Sequence, residues 1–256
     1  MRDRILSELC NIEQKENVRI LHAIESGSRA WGFASPDSDF DVRFIYIRET
    51  EHYLKLEKTR DVIEWTLDEV LDINGWDLQK ALPLARNSNP TFFEWNNSPI
   101  IYKNTDFWTE IKQEINSWFL QKAGMYHYLS MANANYRDYL RGDMVKLKKY
   151  FYVVRPLLAC KWILSHNCPP PMLFSELVES ELEASMQPII YDLLELKSKT
   201  PEVGEGKRID KLNCYIEENL KQLKEAADSL PRDNKKDWES LNELFLTALK
   251  RGKAHD

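Results

Sequence analysis

Strand-forming periodicity in this chain stops at about residue 104, and that asymmetry limits the fold more than any other feature. Residues 18–26 (VRILHAIES) are a β-branched, apolar run that ends at Gly27-Ser28. They read as a buried strand entering a tight turn. Residues 40–47 (FDVRFIYI) alternate and read as a second strand, with 62–65 a third and 70–74 (VLDIN) a fourth, after a turn at 66–69. Residues 3–15 place Ile5, Leu6, Leu9 and Ile12 at helical spacing. Residues 78–85 are helical in pattern but interrupted by Pro83, and Asn89-Pro90 opens a short helix. Beyond residue 104, segments 107–119, 125–140, 145–163, 174–198, 208–228 and 236–250 read as amphipathic helices. The rigid CPPPM at 168–172 and an exposed loop at 199–208 break them. The expectation is an α+β chain: a mixed sheet with helices over 1–104, then an all-α part over 105–256. No flexible linker separates the two, so close packing is expected.

Composition narrows the function. The formal net charge of −6, from 35 basic and 41 acidic residues, excludes an overall basic nucleic-acid coat. It leaves room for a local basic groove. No apolar run approaches the roughly 18 residues of a membrane span, and the N-terminus is too charged for a secretory signal. Cys10, Cys160, Cys168 and Cys214 lack metal-binding spacing and read as reduced cysteines of a cytoplasmic protein.

The chemistry concentrates in residues 25–47. Asp39 and Asp41 flank Phe40 at the head of a strand, where residues i and i+2 share a face. Two adjacent carboxylates repel unless a cation neutralises them. Mg²⁺ takes one or two carboxylates together with substrate phosphates and water. Two such ions can clamp both the attacking and leaving oxygens of a phosphoryl transfer. About ten residues upstream, Gly27-Ser28 offers backbone N–H groups and a hydroxyl at the start of a short helical segment. Such turns hold phosphate, and glycine lets the backbone approach closely. A phosphate-holding turn beside an acidic pair describes a nucleotide site.

These residues resemble the DNA polymerase β-like nucleotidyltransferase superfamily, whose hallmark is Gly-Ser followed by a DxD at a strand start. The closer resemblance is to its YcgL-type branch, associated with RNA repair. It is carried by GSRAWGFASPDSDFDVRFIY (27–46), LDINGWDLQKAL (71–82), NPTFFEW (89–95) and SPIIY (98–102), then HYLSMANANYR (127–137), KLKKYFYVVRPLLACKWI (146–163) and PPPMLF (169–174). The resemblance implies a polymerase-β-like catalytic domain over 1–104 and a helical nucleotide- and acceptor-binding domain over 105–256, with the site in a cleft between them. It implies Mg²⁺-dependent transfer of a nucleoside monophosphate from an NTP such as ATP, with two Mg²⁺ (or Mn²⁺) ions held by Asp39, Asp41 and a third carboxylate. Asp72 matches that third position best; Asp77 is the rival and Glu64 a distant third. Gly27 and Ser28 would hold the β- and γ-phosphates, with Arg29 divided evenly between phosphate and a local acidic partner.

In the helical part, Lys148 and Arg155 share a face at i, i+7 with Tyr152 between them, a pattern for a triphosphate and a stacked base or for a solvated basic face. The resemblance raises Lys149 and Arg155 as nucleotide contacts. The acceptor implied is an RNA 3′ end, with tRNA as one candidate. Transfer to a protein or small-molecule hydroxyl, and non-catalytic nucleotide binding, are the alternatives. No membrane partner is expected, and the oligomeric state is left open.

Overall fold

A computed structural model of the chain describes residues 1–66, 68, 70–199 and 204–252. They divide into two compact units, each discontinuous in sequence. The first comprises Met1–Gly27, Asp39–Trp118 and Lys235–Asp256; the second comprises Ser28–Ser38 and Phe119–Asn234.

The first unit is built on a five-stranded mixed sheet. In chain order the strands are β1 (Val18–Glu25), β2 (Phe40–Arg48), β3 (Val62–Thr66), β4 (Leu71–Asp77) and β5 (Ile101–Asn104). Their order in space is β3-β4-β2-β1-β5. β1 runs antiparallel to both β2 and β5, β4 runs parallel to β2, and β3 is antiparallel to β4. Helix α1 (Arg2–Glu16) lays Ile5, Leu9 and Ile12 on one face of this sheet. There they meet Val42, Phe44 and Tyr46 of β2 and Leu71 and Ile73 of β4. Strand alternation therefore turns Asp41, Arg43 and Asp72 to the opposite face. β1 keeps Ile20 and Ala23 in the same core across a register shift between Ile20 and His22. Gly75 on β4 has no room for a side chain, because a Cβ would lie 2.2 Å from the Phe44 ring.

The short helices α2 (Gly27–Ala30) and α3 (Thr50–Tyr53) follow β1 and β2. α4 (Leu78–Arg86) starts at Asp77, whose side chain accepts from Gln79 N, and contains Pro83. α5 (Pro90–Asn97) starts at Asn89, whose side chain accepts from Phe92 N. α6 (Asp106–Asn116) buries Trp108, which stacks on His22 at 5.3 Å.

The second unit packs α7 (Gln121–Tyr139) on α8 (Phe151–His166), with α9 (Phe174–Glu181) on α8 and α11 (Asp210–Ser229) against both long helices. α10 (Gln187–Lys199) and a two-stranded ribbon of β6 (Met144–Lys146) and β7 (Glu205–Lys207) complete it. Residues 28–38 belong here because Phe33 stacks on Phe151 at 5.0 Å and meets Phe174 edge-on at 5.4 Å. Phe174 N also donates to Trp31 O at 2.9 Å. The last helix, α12 (Trp238–Gly252), returns to the first unit.

The α+β class and the four expected strands are present. Several expectations change. Strand structure continues past residue 104 as β6 and β7, and β5, within the first 104 residues, is a strand beyond the four expected. Residues 144–150 are a strand and a 3-10 turn (Leu147–Tyr150), so α8 begins only at Phe151. The helix expected over 174–198 is two helices, α9 and α10. Of the loop expected at 199–208, residues 200–203 lie outside the described residues, and 205–207 are β7. The single division expected at residue 104 differs from the interleaved units, because α6 and α12 bury their apolar faces with the sheet. Among the described residues no helix is long and apolar enough to cross a membrane.

Candidate active site

The parallel register of β2 and β4 sets Asp41 directly opposite Asp72. Both carboxylates grip one guanidinium: Arg43 Nη2 donates to Asp41 Oδ1 at 2.9 Å and to Asp72 Oδ2 at 2.7 Å. Arg43 Nη1 donates to the carbonyl oxygens of Val42 and Asp72, at 3.0 and 3.1 Å. Arg43 is two residues beyond Asp41 on the same strand and hence on the same face. It answers the repulsion that two neighbouring carboxylates create. Asp72 is the most open member, its side chain 56% exposed.

The backbone of Asp41 is pinned from β1. Its N–H donates to Glu25 Oε1 at 2.8 Å, and its carbonyl accepts from Ser26 N at 2.8 Å. Glu25 is fully buried. Its other carboxylate oxygen accepts from the Tyr102 hydroxyl, and its carbonyl accepts from Ser98 Oγ at 2.6 Å. A buried carboxylate survives when hydrogen bonds replace its water, and this one spends them on positioning Asp41.

Gly27 closes β1 with φ +59°, a conformation that favours glycine. A Cβ there would stand 2.0 Å from Asp41 Oδ2. The close passage of the Gly27 backbone against the Asp41 carboxylate thus requires a residue without a side chain.

Asp39 lies one residue before β2 and is exposed. Among the described residues no three His, Cys, Asp or Glu side chains converge tightly enough to hold a metal ion. The Asp41–Asp72 pair nevertheless fits one. Its oxygens already converge on a single cation, and two carboxylates are what Mg²⁺ takes when phosphates and water complete its shell.

Asp77 stands apart from this pair. It is buried, caps α4 through Gln79 N at 2.8 Å and accepts from the Tyr53 hydroxyl at 3.0 Å. Burial pushes its carboxyl up to about 6. Glu64 is paired in register with Asn74 on the edge strand and is exposed.

In the second unit, Ser28 Oγ donates to Ser38 Oγ at 3.1 Å, and Ser38 Oγ accepts from Ser35 N at 2.9 Å. Arg29 Nη2 donates to Ser38 O at 2.6 Å. The expected helical face carrying Lys148 and Arg155 together does not form, because Lys148 lies in the 3-10 turn. Arg155 is 2% exposed. Its guanidinium lies 4.7 Å over the Trp31 ring and donates to Met172 O at 3.3 Å. Lys149 Nζ sits 4.0 Å from the Tyr139 ring and 4.9 Å from the Tyr152 ring.

Sequence reasoning missed Arg43, Glu25 and Tyr102. The i, i+2 spacing of Asp41 and Arg43 was a usable signal. Nothing in the sequence marks Glu25 as buried or places Tyr102 on the neighbouring strand.

A model of RlaP, the RNA repair pathway DNA polymerase beta family, matches residues 1–247. The chain is 45% identical over 255 residues to the uncharacterized protein YcgL of Bacillus subtilis (strain 168), covering 97% of this chain and 96% of that one. It is also similar to the crystal structure of a nucleotidyltransferase-like protein from Exiguobacterium sibiricum 255-15, with 16% identity and a TM-score of 0.30, over 88% of this chain and 75% of that one.

Proposed function

Because the chain belongs to the RNA repair pathway DNA polymerase beta family, we propose that it transfers a nucleoside monophosphate from an NTP to the hydroxyl at an RNA 3′ end. The observation that carries this reading is the Asp41–Asp72 pair, set by strand register and closed on one side by the Gly27 backbone.

Asp41 and Asp72, with Asp39, would hold Mg²⁺. The bound ion supplies neutralisation of the phosphates and of the charge that develops as they separate. Gly27 and Ser28 take the β- and γ-phosphates through backbone N–H and hydroxyl. Asp72 is open enough to meet the acceptor and takes its proton. The acceptor oxygen then bonds to the α-phosphorus, the bond from that phosphorus to the bridging oxygen breaks, and pyrophosphate leaves with the electron pair. Glu25 holds Asp41 in register throughout. Arg29 fixes the 28–38 segment through Ser38. Arg155 holds the Trp31 ring of the same segment. Positioning and charge neutralisation supply most of such a rate enhancement.

The test is incubation of the protein with each α-labelled NTP, Mg²⁺ or Mn²⁺, and cellular RNA. Asp41→Asn and Asp72→Asn serve as blanks. Label on RNA 3′ ends that disappears in both variants is the expected result. Label on protein would replace the RNA acceptor with a protein hydroxyl. Label that survives both substitutions would overturn the carboxylate assignment.

A further inference from the structure

Tyr139, the last residue of α7, is 40% exposed, and Tyr152, at the start of α8, is 37% exposed. The half-buried Lys149 joins them: its Nζ lies 4.0 Å from the Tyr139 ring centre and 4.9 Å from that of Tyr152. Tyr152 in turn meets Trp31 edge-on at 5.6 Å. Tyr139, Lys149, Tyr152 and Trp31 therefore form one continuous strip, and all four belong to the second unit.

A single exposed ring is ordinary on a protein surface. Two exposed rings that share one ammonium are a built arrangement. Cation–π attraction to the lysine holds both tyrosines in place, so neither has to be ordered when a partner arrives. A ring has two faces, and the exposure of both tyrosines leaves ring surface for a further planar group.

The local charge selects the partner. Residues 137–149 include five basic and two acidic residues, in a chain whose net charge is −6. One of the two acids, Asp138, is taken up by Arg137 at 2.8 Å. Lys148, and Lys146 exposed on β6, lie close enough to act on Lys149. Exposed rings with cations beside them are what single-stranded nucleic acid takes, its bases stacking on the rings and its phosphates meeting the cations.

We infer that this strip is a stacking ledge for a single-stranded RNA: Tyr139 and Tyr152 each receive a base, and Lys146 and Lys149 meet the phosphates between. The choice of RNA over another single strand rests on the RNA-directed reading above. The ledge itself rests on the two rings and the lysine they share.

The test is fluorescence anisotropy of the full chain with an unstructured labelled RNA oligonucleotide, its DNA counterpart and its RNA duplex, without NTP or metal. The single-stranded RNA should bind best, and the duplex, whose bases are already stacked, about 10-fold more weakly or worse. Tyr139→Leu with Tyr152→Leu should weaken single-stranded binding by roughly 10-fold or more, the scale of lost base stacking. Tyr139→Phe with Tyr152→Phe should preserve it. Lys149→Met should reduce the slope of log affinity against log salt by about 1. Wild-type protein photocrosslinked to the same RNA carrying 5-iodouridine should be labelled at Tyr139 or Tyr152, a readout that needs no variant to fold.

Equal binding by wild type and the doubly Leu-substituted protein would overturn the ledge, as would crosslinks confined to other residues. DNA bound as tightly as RNA would overturn the choice of RNA. Displacement of the RNA by excess ATP would make the strip a nucleotide site and overturn the ledge. Binding is read without turnover, so the two readings fail separately. Wild type that binds no single-stranded RNA overturns the ledge alone, and wild type that binds RNA but transfers no nucleotide overturns the enzyme reading alone.

Discussion

At the residue scale, the candidate site is a charge balance. Arg43 is 17% exposed and is the cation that the Asp41–Asp72 pair holds. Replacing it with Met should destabilise the metal-free protein by about 1 kcal/mol, since these pairs are partly solvated. It should also tighten Mn²⁺ binding, because a competing cation is gone. Melting in EDTA and a Mn²⁺ titration check both halves, and an unchanged Mn²⁺ affinity would contradict the competition. Gly27→Ala should abolish turnover, since a methyl group cannot share space with the Asp41 carboxylate. A steady-state assay of that variant, with its fold verified by circular dichroism, tests the claim. Asp41 and Gly27 were legible in the sequence through type and spacing. Asp72 was legible through the resemblance together with its place on a strand rather than at a helix start, and the β2–β4 register is what sets it opposite Asp41.

Among the elements, β1 and β4 each carry a buried group that titrates abnormally. Burial lowers His22 to about 4, against an ordinary value near 6.5. Between those values the unfolded chain binds a proton that the folded chain refuses, so stability is lost as pH falls from 6.5 toward 4. Asp77 does the reverse. Its folded value of about 6 lies above the ordinary 3.8, so the folded chain holds the extra proton, and stability is lost as pH rises from 3.8 through 6. Each effect is on the order of 3 kcal/mol, and over about pH 4–6 they offset each other. Relative to wild type, His22→Asn should gain stability as pH falls through this window. Asp77→Asn should lose it, while keeping a competent helix cap. Urea denaturation at stepped pH would show the opposite slopes; parallel slopes would contradict the assignment. The strong apolar periodicities of α1, β1 and β2 made those elements readable. β5 and the β6–β7 ribbon were not, being only three or four residues long. Their pairing partners, not their own pattern, make them strands.

For the whole molecule, the interleaving of the two units decides which fragments can stand alone. α6 supplies Trp108 against His22. α12 supplies the Ala248 carbonyl to Arg19 Nη2 at 2.9 Å and Phe245 against Tyr53. A fragment of residues 1–104 should therefore lack a cooperative thermal transition, which circular dichroism would show. A sharp melt would mean the sheet needs neither helix. The division near residue 104 was visible as a change of periodicity, but periodicity cannot say where a later helix packs. The return of α12 to the sheet also sets an order on synthesis. Chains usually consolidate from the N-terminus as they leave the ribosome. Here the helical unit has all its segments once residue 234 has been made, whereas the sheet that began first must wait for 238–252. Of the two units, the one bearing Asp41 and Asp72 is begun before the helical unit and completed after it.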